Sequence, residues 1–189
     1  MVSKSKVYAW FKKCESHERL DLLCSLFSAC LPFELRFLRT CLEDLEKKDE
    51  VLKELDHSKF DISRLAESQD LDELGRSRLI IHISLMEAKC SEGCRDIIEF
   101  LKKKGNPDAM EIDDRCQYYV SQMLLIYTLI SLHPAFSFIH RSLVWGYMEA
   151  LKVKLKEKKN IGKSSSDSSI ATSPSGPIQV CIYTRLYSH

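Results

Sequence analysis

An all-α fold, a multi-helix bundle or α–α superhelix with a disordered C-terminal tail, follows from three features of this 189-residue sequence. Apolar residues recur at steps of three and four along residues 1–159, the period of a helix with one buried stripe. No sustained alternation of period two is bounded by hairpin turns. Residues 160–177, NIGKSSSDSSIATSPSGP, are Ser, Gly and Pro rich and bury too little apolar surface to offset the entropy of ordering. The chain therefore divides into an all-helical interaction module, 1–159, and a disordered tail, 160–189, whose short apolar end, IQVCIYTRLYSH, has no second strand to pair with.

The elements follow in order. Val7 to Lys13 makes a short helix carrying Trp10 and Phe11. The second runs from about His17 to Cys30, with Ser16 as N-cap and Leu20, Leu23, Phe27 and Cys30 on one stripe. Pro32 disfavours helix at Leu31 and suits a first turn, where its missing N–H would be unpaired anyway, so a third helix starts there. Leu31, Leu35, Leu38, Leu42 and Leu45 form its ladder, widened by Phe33, Phe37 and Cys41, which predicts a broad buried face with Cys30 and Cys41 as core thiols. Arg36, Arg39, Thr40, Glu43 and Lys47 fall opposite. A shorter helix is expected over Glu50 to Asp56 and another start near Asp61.

Asp70 or Asp72 opens a helix to about Lys89, with Leu71, Leu74, Leu79, Ile80, Ile83 and Met86 inward; Gly75 costs its first turns about 1 kcal/mol relative to alanine. Ser91 to Lys104 carries Ile97, Ile98 and Leu101 and stops at Gly105 and Pro107. Arg115 to Leu132, capped by Asp113 or Asp114, is apolar nearly all round and is expected at the centre of the core. His133 and Pro134 end it, and Ser137 caps a last helix through Trp145 to Lys159.

Composition narrows function by exclusion. With 28 Lys plus Arg against 27 Asp plus Glu, no global field draws the chain to nucleic acid, so any such contact needs a local patch. The apolar run Tyr118 to Leu132 is shorter than the ~20 residues that span a bilayer, and MVSKSKVYAWFKK lacks the apolar stretch of a secretory signal. A cytoplasmic protein without membrane contact is expected, its eight cysteines reduced. Cys90 and Cys94 supply half of a zinc spacing, but no second pair follows. Cys14 near His17 could form a nucleophile pair, yet nothing beside them marks an oxyanion hole. No phosphate loop occurs among the six glycines. A non-enzyme without cofactor or metal is expected.

Two surface features remain as candidates. The ridge Arg36, Arg39 and Glu43 is a candidate partner-binding surface. Lys102, Lys103 and Lys104 end one helix and Lys152, Lys154, Lys156, Lys158 and Lys159 another. Helix C-termini favour cations, but five lysines in eight residues exceed what capping needs, so these are candidate nucleic-acid contacts if the two ends adjoin. Tyr118, Tyr119 and Tyr127 have core spacing and are not counted as a stacking platform.

Three blocks, VYAWF at 7–11, LPFELRFLRTCLEDLEKKD at 31–49 and LHPAFSF at 132–138, resemble the N-terminal helical region of zinc-finger CCHC-domain-containing proteins that also carry SAM or PX domains. More distantly, HPAFSFIHRSL with the following Trp145 is similar to the N-terminal dimerisation region of Smaug-type translational repressors. The resemblance implies a non-catalytic scaffold in post-transcriptional mRNA regulation, with a protein partner or a homodimer, RNA contact being mainly indirect. The CCHC knuckle and a SAM domain have no counterpart in these residues, so zinc binding and hairpin reading do not carry over, and a truncated isoform is the expectation.

Overall fold

The computed structural model describes residues 3–48, 71–89, 93–110 and 117–163. These contain seven α-helices and one 3-10 turn, and no strand: α1 Lys4–Phe11, α2 Ser16–Ser28, α3 Pro32–Lys48, α4 Glu73–Leu85, α5 Cys94–Lys104, the turn Pro107–Ala109, α6 Gln117–Leu132 and α7 Phe138–Lys163. The helices expected after Glu50 and Asp61, the tail end 178–189, and Cys90, Cys116 and Cys181 lie outside the described residues.

Local chemistry sets the helix starts. Asp72 caps α4 by accepting the Gly75 amide at 2.7 Å. Gly93 precedes α5 in the left-handed region at φ 81°, where a side chain would be strained. Ser137 Oγ accepts the His140 amide at the head of α7. At α2 the cap is Glu15 rather than Ser16: its carboxylate and that of Glu18 reciprocally take the N3 and N-cap amides in a capping box. A carboxylate at N3 satisfies a second orphan amide, which a serine cap alone would leave open.

As its all-round apolar sequence predicts, α6 is the axis: Val120 through Thr128, except partly exposed Ser121, and Ile130 are buried. Helices α7, α4 and α2 pack on it, and α7 also meets the 3-10 turn. Ile97, Ile98 and Leu101 of α5 and Val144, Met148 and Leu151 of α7 join the same core. Each such aliphatic side chain contributes about 1.5–3 kcal/mol on burial.

Polar groups inside this core are paired. Arg76 donates from Nε to Gln122 Oε1 at 2.8 Å and from a terminal nitrogen to the Leu71 carbonyl at 2.6 Å, while its guanidinium lies 4.6 Å from the Tyr119 ring centre. Gln122 Nε2 is 3.2 Å from both Ser77 Oγ and Tyr118 Oη. The buried Tyr127 hydroxyl donates to the Gly105 carbonyl and ties the end of α5 to α6. Leu74, expected inward, is exposed, while Met86, just past the end of α4 at Leu85, packs partly buried against the core.

Candidate functional site

Helix α3 departs most from the sequence expectation. None of its residues is buried, and no other described element packs extensively on it. Phe33, Leu35, Phe37, Leu42 and Leu45 are exposed, Phe37 by 68% and Leu45 by 62%. Cys41 is exposed and Cys30 half-exposed, so neither is a core thiol. The period had revealed an apolar face; the described part of a single chain supplies nothing to cover it. Helices α1 and α2 also bury no residue fully, although Leu20 of α2 packs against the core.

Beside the ladder runs the charged ridge. Arg39 Nε meets Glu43 Oε1 at 2.7 Å, with the two side chains 80% and 46% exposed, and Arg36 is exposed one turn earlier. By the helical period Lys47 falls on the same side as Arg36, and Glu43 and Glu46 on the flank of Arg39, so the ridge carries both signs along its length.

The lysines sort by partner. Lys102 meets Glu99 at 2.8 Å, which holds that carboxyl below its usual range. Lys154 reaches from α7 to the Pro107 carbonyl at 2.6 Å and the Asp108 carbonyl at 3.3 Å, fixing the segment that follows α5 onto α7. Lys154 is thereby committed to the joint between α7 and the turn that follows α5. Lys103, Lys104 and Lys156 are exposed, Lys158 is half-exposed, and Lys152 pairs with Glu149 at 3.1 Å. The Lys159 side chain lies outside what is described.

A cavity of about 480 Å³ opens where α1 and α2 meet α6 and α7, within the size range of ligand pockets. Trp10, Lys13, His17 and Asp21 line it from one side and Thr128, Met148 and Lys152 from the other. His17 Nδ1 is shut off from solvent without a hydrogen-bond partner. Burial pushes the His17 pKa down, helped by nearby Lys152 and opposed by Glu18 and Asp21. Burial and then Glu18 raise the Cys14 thiol, the reverse of what an activated nucleophile needs. Cys94 is buried with Sγ directed at the Ala135 carbonyl, and no group of three or more possible metal ligands occurs among the described residues. Sequence reasoning missed this cavity, since its walls come from residues over 100 positions apart; the one local signal was a tryptophan, a lysine and a histidine around a helix junction.

A largely exposed apolar helix thus accompanies a packed all-helical core. The comparison with known families gives it a place. The SMAUG-like PHAT domain matches residues 37–156, more than half of the chain, and the chain belongs to that family. The RNA-binding protein vts1-like domain matches residues 4–48. No solved structure matches the chain. The two matches carry the Smaug side of the sequence resemblance and fit a post-transcriptional regulator. Among the described residues no helix is long and apolar enough to cross a membrane.

Proposed function

We propose that the helical module, residues 1–159 with α7 continuing to Lys163, is a non-catalytic scaffold in cytoplasmic mRNA regulation that self-associates through α3, with the residues after α7 as a tail. The observation that carries this reading is the ladder of α3, exposed except for half-buried Leu38. A second copy is the occupant that the charge pattern favours. In an antiparallel pair, Arg39 of one chain lies along Glu46 of the other at the edge of the ladder, whereas a parallel pair sets like charge against like there. A two-fold pairing of this kind uses the same patch twice and closes on itself.

Charge exchange tests it. Chains carrying Arg36→Glu with Arg39→Glu, or Glu43→Arg with Glu46→Arg, each associate less than wild type, and a mixture of the two forms heterodimers. Sedimentation equilibrium showing association unchanged by either pair sets the reading aside.

A second reading, direct and sequence-poor RNA binding, is favoured by the exposed Lys103, Lys104 and Lys156 and by the match to a family described as RNA-binding. It predicts binding that falls linearly on a log–log salt plot, with a smaller slope after Lys103→Ala and Lys156→Ala. No binding at low salt counts against it.

A further inference from the structure

We propose that the cavity between α1–α2 and α6–α7 holds one nucleotide of single-stranded RNA, its phosphate between Lys13 and Lys152 and its base on Trp10. This site rests on the RNA-binding reading and gives it a base-reading centre.

The walls provide the parts such a ligand needs. Trp10 is half-exposed at the cavity, and an indole face accepts any base by stacking. Lys13 and Lys152 bring cations from opposite walls. The Lys13 side chain has no ion pair or hydrogen bond among the described residues, and Lys152 has an i,i+3 pair with Glu149 at 3.1 Å that a phosphate can replace, its ammonium also lying 5.8 Å from the Trp145 ring centre. Of the two carboxylates at the cavity, Glu18 is drawn back to the Glu15 amide at 2.8 Å. Asp21 remains as an acceptor, one helical turn after His17, whose Nδ1 lacks a partner. A carboxylate accepts both N1–H and N2–H of guanine, whereas uracil offers a single donor on the same edge. Guanine is therefore the favoured base.

Lys152 also opens the cavity wall toward a further cation: Lys156, exposed, stands one turn beyond it on α7, about 6 Å along the axis. Lys154, on the other side of α7, is used by the Pro107 carbonyl instead.

The chain has two tryptophans, so in the full chain carrying Trp145→Phe the emission reports Trp10 alone. Absorbance-corrected titration with guanosine 5′-monophosphate is expected to quench it to saturation. Guanosine, lacking the phosphate, binds at least tenfold more weakly, and uridine 5′-monophosphate several-fold more weakly. Lys13→Ala and Lys152→Ala each weaken the monophosphate at least fivefold with helix content unchanged by circular dichroism, and Asp21→Asn narrows the guanine preference. Emission that no nucleotide alters, or that guanosine and its monophosphate alter equally, overturns the proposal. A twelve-residue oligouridine strand titrated across a salt series separates the two claims. Salt-dependent strand binding with Trp10 emission unmoved overturns the pocket and leaves the RNA reading standing, while absence of strand binding removes that reading itself.

Discussion

Tyr127 and Arg76 show what single side chains hold in place. The Tyr127 hydroxyl donates to the buried Gly105 carbonyl, and burial raises its pKa so that it stays a donor at every physiological pH. Tyr127→Phe leaves that carbonyl unsatisfied and is expected to cost about 1–3 kcal/mol in urea unfolding. Arg76→Leu strips Gln122 of its partner and is expected to cost about 1.5–3 kcal/mol, as for hydrogen bonds to a charged group. His17 gives a pH signature. Its folded pKa lies below the unfolded value, so the unfolded chain binds the extra proton. His17 therefore costs nothing above the unfolded pKa near 6.5, and stability falls as pH drops below that value toward the folded pKa. His17→Gln is expected to flatten stability in the range pH 5 to 7, measured as the unfolding midpoint at each pH. At this scale the sequence was only partly legible. Arg76 and Gln122 each stand on an apolar helical stripe, but that they meet across 46 positions is known only from the packed fold.

The helices divide according to what periodicity can report. For α6 the pattern was apolar all round, and a helix with no polar face has one place to go, so its central burial followed from sequence. For α3 the pattern was one-sided. Such a stripe states that something apolar covers it without stating whether that is the same chain, and the expectation of an intramolecular core failed there. The caps behaved similarly: Asp72 and Ser137 were legible as helix starts, whereas Glu15 took the place expected for Ser16 because Glu18 completes a capping box with it. The exposure of α3 makes a clear prediction. Phe37→Asp with Leu42→Asp should move the unfolding free energy of the monomer by no more than about 0.5 kcal/mol, as for surface substitutions. The same pair should abolish association, measured by light scattering, because it places carboxylates in the apolar seam.

At the scale of the whole chain, a helical core built on α6 carries two surfaces with different chemistry. The ladder of α3 is apolar with a ridge of mixed charge, and α7 carries lysines beside a cavity lined by Trp10. A net charge of +1 concealed the second surface, whose lysines are only partly balanced by neighbouring Glu99, Glu149 and Glu157. The proximity of the two lysine groups could be posed from sequence only as a condition; the structure gives one joint beside them, Lys154 on the carbonyls of Pro107 and Asp108. The same joint makes Lys154→Ala a test of architecture: it should loosen the loop after α5, seen as faster amide exchange at Asp108 and Ala109, whereas Lys156→Ala should leave exchange there unchanged.

The most direct measurement of the central claim is the mass of the intact chain by size-exclusion chromatography with light scattering at micromolar concentration. Self-association through α3 predicts twice the 21.9 kDa chain mass, reverting to the single chain for Phe37→Asp with Leu42→Asp. A wild-type mass of one chain, or a dimer that the double substitution leaves intact, would contradict it.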